Sequence, residues 1–239
     1  MSGHSKWATI KRKKGAIDAE RGKTFQKLTK ELYVAAKGGD PNPLNNPSLR
    51  MVMDKAKTAN MPKDKVDAAI KKATGASASL NYESIRYEGY GPEGVAIMVD
   101  ALTDNKNRTA SDVRSTFTKR GGNLGSDGSV SYMFDRKGLI IINNKFDEEE
   151  VMMTAIDNGA IDFISNDDCY EIYTEPNSLS KVKDALESLG IYDYDMCEVT
   201  FIPQNTVKLD EEHKTKVINL IEALEDLDDV QDVYHNLEI

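Results

Sequence analysis

Cations crowd the start of this sequence. Lys6, Lys11, Arg12, Lys13, Lys14, Arg21 and Lys23 fall close together, with Trp7, the only tryptophan, among them. Ammonium and guanidinium groups at this density displace the counterions condensed on a phosphate backbone, and an indole can stack on a base. The chemistry such residues suit is polyanion binding. Two structural readings of residues 4–21 stay open. Trp7, Ile10 and Ile17 share a helical arc, but Lys14 and Arg21 fall in the same arc and Gly15 weakens a helix. The segment is then either a packing helix whose long cationic stems pass beside an apolar stripe, or an arm that orders against phosphates with Trp7 as a stacking or packing anchor. Charge runs are usually solvated faces, but this one continues into a basic domain, which favours the second reading.

A second cationic pair, Lys106 and Arg108, sits in Asp104-Asn105-Lys106-Asn107-Arg108-Thr109, at the entrance of an expected helix. Capping accounts for the Asn and Asp residues there. Lys106 and Arg108 beside a helix N-terminus could also grip a phosphate.

Other chemistry finds little support. The sequence has no G-x-S-x-G and no H-E-x-x-H, so neither a serine hydrolase nor a zinc protease is indicated. Gly121-Gly122-Asn123-Leu124-Gly125-Ser126 departs from G-x-G-x-x-G, and no G-x-x-x-x-G-K-[ST] occurs. That loop reads first as a connector and second as a backbone surface open to close approach by RNA. His4, His213 and His235 have no metal-ligand spacing with Cys169 or Cys197, so neither metal nor cofactor is expected. Two widely spaced cysteines make no disulfide framework and suit a reducing cytoplasm. No apolar run approaches the ~18 residues a membrane-spanning helix needs, so no membrane contact is expected. The carboxylates of Asp147–Glu150 and of the 222–232 stretch are read as helix starts and solvated helix faces. Tyr192 and Tyr194 flank Asp193, an acidic setting that argues against a base-stacking platform.

The elements that must position these groups fall into three charge zones. Residues 1–75 carry 17 Lys/Arg against 7 Asp/Glu, residues 76–137 carry 8 against 8, and residues 138–239 carry 6 against 25. In the basic zone, Phe25, Leu28, Leu32 and Ala36 predict a helix over 23–37, ended by Gly38-Gly39. The proline-rich run 40–47 is a rigid connector. Further helices are expected from Pro47, with Leu49, Val52, Met53 and Ala56 inward, and from Pro62, with Val66, Ala69, Ile70 and Ala73 inward. These make a small bundle over 1–75.

Beyond a small polar linker, strands are expected at 84–89 and 95–102, a helix to Arg120 with Val113 and Phe117 inward, a flexible loop over Gly121–Gly128, and a strand at Val130–Phe134. From Gly138 the order is strand 139–142, helix 147–158, strands 161–165 and 170–174, helix 178–189 and strand 195–202. That is βαββαβ, a complete ferredoxin-like unit. A last helix at 210–226 and strand at 230–237 cannot bury an apolar face alone, so 203–239 is expected to dock back onto 76–137. The expected class is therefore α+β in three domains. They are a basic helical nucleic-acid-binding domain over 1–75, an α/β domain over 76–137 plus 203–239, and an acidic ferredoxin-like domain over 138–202 inserted into the second. The acidic domain either repels nucleic acid or meets a basic protein partner.

Several stretches resemble the YebC family of bacterial proteins: Met1-Ser2-Gly3-His4-Ser5-Lys6-Trp7-Ala8-Thr9-Ile10-Lys11, Tyr87-Glu88-Gly89-Tyr90-Gly91-Pro92-Glu93-Gly94, Asp104–Thr109 and Gly121–Gly125. The resemblance covers essentially the whole chain. It implies a helical head and two mixed α/β domains, one inserted in the other. It also implies regulation of gene expression, since members are described as transcriptional regulators that bind promoter DNA. The family includes the mitochondrial translational activator of cytochrome oxidase, and some bacterial relatives are described as ribosome-associated factors that ease stalling at proline-rich stretches. No helix-turn-helix stands out, and the basic residues spread over several helices. The expectation is a non-enzymatic nucleic-acid-binding regulator, a DNA-binding transcriptional regulator in the first instance and a ribosome- or RNA-associated translation factor in the alternative.

Overall fold

The computed structural model describes residues 22–75 and 79–239. The helix α1 occupies 22–37 of these, and it is followed by α2 (Pro47–Thr58) and α3 (Lys63–Thr74). Asn46 is why the connector between α1 and α2 is rigid. Its Oδ1 accepts from the Leu49 N–H at 3.0 Å, capping α2, while its Nδ2 donates to the carbonyls of Ala35 and Asp40 at 2.8 and 2.9 Å. Pro47 then fills the first helical position, where the missing N–H has no partner to lose. The bundle core is Leu28, Leu32, Leu49, Ala56, Met61, Val66, Ala69 and Ala73, with Leu80 and Tyr82 packed against it.

The chain divides into two compact units, and residues 134–204 form one of them. The other holds the helical head and a sheet of β1 (Glu83–Tyr90), β2 (Ala96–Thr103), β3 (Asn123–Leu124) and β8 (Val230–His235), in the order β3-β1-β2-β8, all antiparallel. Helices α4 (Lys106–Lys119) and α7 (Glu211–Glu225) cover it. Val113, Phe117, Val217, Leu220, Ile221 and Leu224 meet Val95, Ile97, Val99 and Val233 in one core. The return of the chain's last strand onto β2 is the docking expected of 203–239.

The strand expected at Val130–Phe134 does not form. Ser131–Met133 is a short 3-10 turn, and a ten-residue strand, β4, starts only at Phe134 and runs to Asn143. The cause is Glu88, whose carboxylate takes the N–H groups of Val130 and Ser131, both at 2.8 Å, that a ladder would have used. The Gly121–Gly128 loop also differs from the flexible connector expected: Asn123 and Leu124 pair with Tyr90 and Gly89 as an edge strand.

In the second unit β4, α5 (Glu148–Asp157), β5 (Ala160–Ser165), β6 (Cys169–Thr174), α6 (Leu179–Ser188) and β7 (Met196–Pro203) follow the predicted order, and the sheet runs β5-β6-β4-β7. This is the ferredoxin-like arrangement, inserted between β3 and α7 of the first unit. Val151, Ala155, Val182 and Leu186 pack on Ile140, Ile142, Tyr170 and Ile172.

Candidate nucleic-acid interface

Of the cations singled out in the sequence, Lys6, Lys11, Arg12, Lys13, Lys14 and Arg21 lie outside the described residues, as does Trp7. Lys23, Lys106 and Arg108 are placed, and each has a carboxylate partner. Lys23 pairs with Asp226 at 2.9 Å. Lys106 pairs with Glu83. Arg108 contacts Asp229 at 2.6 Å and Asp104 at 2.9 Å. Asn105 caps α4, its Oδ1 accepting from the Arg108 N–H at 3.1 Å.

Asp229 is the centre of this arrangement. It is 7% exposed. Lys30 Nζ lies 2.8 Å from its Oδ1. Its Oδ2 accepts from Arg108, from Thr109 at 2.8 Å and from Thr103 at 3.2 Å. Burial alone would raise its pKa, but the hydrogen bonds from Lys30, Arg108 and Thr109 outweigh it and hold the carboxyl down at about 2. Arg108 is shifted the other way, to higher pKa, first by Asp229 and then by Asp104. The neighbouring lysines complete the seam: Lys27 donates to the Glu225 carbonyl at 2.7 Å and Lys30 to that of Asp228 at 2.8 Å. Thus the 225–229 turn, read in the sequence as a solvated acidic run, is the internal partner of the basic head. A signal for this was available. Lys23, Lys27 and Lys30 stand at i, i+4 and i+7 and so share one face of α1.

The cleft beside this seam is unsuited to phosphate. Its volume is about 920 Å³, and Asp104, Asp112, Asp226, Asp228 and Asp229 outnumber Lys30, Lys65 and Arg108 in its lining. The outer surface of the head differs. Lys57, Lys63, Lys71 and Lys72 are exposed on α2 and α3, and the ion pairs found among the described residues include none of them.

Groups for other chemistry are poorly placed. Among the described residues no cluster of three or more His, Cys, Asp or Glu could hold a metal. Cys169 and Cys197 are unbridged, and burial pushes the Cys169 thiol up to about 11, away from nucleophilic use. His213 sits at the start of α7 with Asp210 2.8 Å from its Nδ1; that hydrogen bond raises its pKa. Its described polar partners are the carboxylates of Asp210 and Glu93. No described helix is long and apolar enough to cross a membrane.

Comparison with known proteins agrees with this architecture. The chain is 55% identical over 241 residues to a probable transcriptional regulatory protein of Geobacillus kaustophilus, covering all of this chain and 98% of that one. It is 55% identical over 237 residues to a probable transcriptional regulatory protein of Lactobacillus gasseri, covering 98% and 97%. The crystal structure of a conserved hypothetical protein from Aquifex aeolicus superposes with a TM-score of 0.83 at 49% identity, over 93% of this chain and 92% of that one. Residues 5–76 match the N-terminal domain of the TACO1/YebC proteins and residues 82–237 match their second and third domains, so this chain belongs to the TACO1/YebC family.

Proposed function

We propose that this chain is a nucleic-acid-binding regulator of gene expression that works without catalysis, and that its target is DNA. The observation that carries the reading is the division of the head's cations. The lysines on one face of α1 are consumed by the 225–229 turn, while Lys57, Lys63, Lys71 and Lys72 are exposed and have no ion pair among the described residues. A head with its inner charges neutralised and its outer charges bare presents a one-sided surface to a phosphate backbone. The names of its relatives as transcriptional regulatory proteins support DNA as the target.

In this reading residues 1–75 contact nucleic acid, with Lys6, Lys11–Lys14 and Arg21 adding to the described lysines. The domain formed by 76–137 and 203–239 holds the head through Asp229. The acidic domain over 138–202 repels polyanions and so confines contact to the head, and is the surface a basic protein partner would meet. We also place the chain in the cytoplasm, where unbridged cysteines stay thiols.

Gradient sedimentation of lysate, with and without DNase, tests the target. The expected result is a fast-sedimenting fraction that DNase removes and that is lost when Lys11–Lys14 are changed to Glu. Co-sedimentation with ribosomal particles after DNase treatment would replace DNA with the ribosome.

A further inference from the structure

The sheet of the acidic unit has one face with helices and one without. Ile140, Ile142, Tyr170 and Ile172 point toward α5 and α6. Leu139 and Ile141 point the other way, because successive side chains of a strand alternate. On that second face the register sets Tyr173 and Glu198 on either side of Leu139, and Glu171 and Met196 on either side of Ile141. Leu139, Ile141 and Glu171 are all 0% exposed. Neither helix of the unit supplies their cover, since both pack into the opposite core.

The polar groups on this face define the chemistry of a cover. Glu171 is a carboxylate in an apolar setting, accepting from the Tyr173 hydroxyl at 2.6 Å and from Asn166 Nδ2 at 3.0 Å. Burying a carboxylate is costly unless hydrogen bonds and opposite charge compensate it. Thr200 pairs with Lys137, two positions before Leu139, so it shares the face. It is 1% exposed, and its Oγ1 has no hydrogen-bond partner among the described residues; Asn166 Oδ1 is in the same state. Buried oxygens without a donor are rare in folded proteins. Among the described residues the ladder puts one cation, Lys137, on this face. Apolar positions, carboxylates and acceptors without donors together suit a segment that brings apolar side chains, N–H donors and positive charge.

We propose that the helix-free face of the acidic unit is the seat of the chain's own first residues, 1–14, and that nucleic acid competes for them. These residues contain Lys6, Lys11, Arg12, Lys13 and Lys14 with no Asp or Glu, and Trp7 and Ile10 lie among them. Residues 138–202 carry 3 Lys and no Arg against 15 Asp/Glu. A second copy of the same face would set like charges against each other, whereas the first residues are complementary to it. Their length suffices: residues 1–14 extend to about 50 Å, and four paired strands are about 15 Å across. The docking stands on the face alone; the competition rests on the reading of these cations as nucleic-acid contacts. The acidic unit then substitutes for a phosphate backbone and holds the basic segment until a polyanion displaces it.

Cys169, on the same face and 0% exposed, is the reporter. With Cys197→Ser removing the other thiol, maleimide labelling of the full chain is compared with that of a chain lacking residues 2–14 and of one with Lys11–Lys14 changed to Glu. Both variants are expected to label on the order of tenfold faster while keeping the circular dichroism of the folded chain. Adding a mixed-sequence duplex to the full chain should raise its rate toward theirs. Glu171→Gln with Glu198→Gln should tighten duplex binding about fivefold. Glu149→Gln with Asp157→Asn, an equal loss of charge at exposed positions of α5, should not. A labelling rate unmoved by both changes to the first residues would overturn the proposal. A rate that falls as protein concentration rises would overturn it in favour of a second copy. Faster labelling in both variants, with no response to duplex, would keep the docking and refute the nucleic-acid reading of these cations.

Discussion

Asp229 shows how one residue can set the state of a large charged surface. It lies in the turn between α7 and β8, and its contacts join α1, β2 and α4. Removing its charge leaves Lys30, itself largely buried, facing a neutral group. Asp229→Asn keeps the shape and loses the pairing. The expected cost is about 2 kcal/mol, below the ~3–5 of a fully buried pair, because Arg108 keeps Asp104 and remains half exposed. Urea unfolding midpoints of the two proteins measure this. The pH dependence follows from the depressed pKa. A carboxyl held at about 2 against about 3.9 in the unfolded chain contributes stability that is present above the unfolded value. That stability is lost as pH falls toward the folded value. The difference between wild type and Asp229→Asn should therefore be constant near neutrality and shrink as pH falls from about 4 toward 2. A difference that instead grew on acidification would remove Asp229 from the seam.

At the scale of elements, β1 matters because it holds two things at once: the β2 ladder on one side and the short edge strand β3 on the other. Gly89 makes that double pairing possible. A Cβ there would lie 2.6 Å from the Asn123 carbonyl oxygen and 3.0 Å from Phe117 Cε1, and a backbone oxygen in a ladder has nowhere to retreat. Gly89→Ala is expected to destabilise the unit by about 1–3 kcal/mol and to speed hydrogen exchange at the Gly125 amide, which bonds the carbonyl of the adjacent Glu88. Unchanged exchange at Gly125 would mean that β3 does not depend on this contact. The same region marks the limit of what the sequence discloses. Periodicity locates most elements within a residue or two: a helix expected at 147–158 is found at Glu148–Asp157, and a strand expected at 170–174 at Cys169–Thr174. Those segments are shaped by which of their own faces is apolar. Val130-Ser131-Tyr132-Met133-Phe134 has equally good alternation, yet its backbone is claimed by a glutamate 42 positions away. The seam was hidden for a like reason. The lysine spacing on α1 is visible locally, but its carboxylates lie about 200 positions downstream, as with Lys23 and Asp226, and no local pattern matches one run to the other.

For the whole molecule, charge sorting along the chain becomes two different things in space. Part of the positive excess of residues 1–75 is spent internally, binding the head to its own unit. Only the remainder can release counterions from a nucleic acid. This gives the salt dependence of binding a definite composition. Each phosphate neutralised on a duplex contributes about 0.9 to the slope of log affinity against log salt. Changing Lys57, Lys63, Lys71 and Lys72 to Glu should therefore flatten the slope by about three to four, with little effect on folding, since all four side chains are exposed. Changing Lys27 and Lys30 to Gln should do the opposite: it should destabilise the unit, because it empties the seam with Glu225, Asp228 and Asp229, and leave the slope nearly unchanged. Duplex-binding isotherms over a salt series, paired with unfolding curves, separate the two sets. If the Lys27 and Lys30 variant flattened the slope as much as the outer four, the seam would have to open on binding, and the acidic turn would act as a competitor for nucleic acid rather than as an anchor for the head.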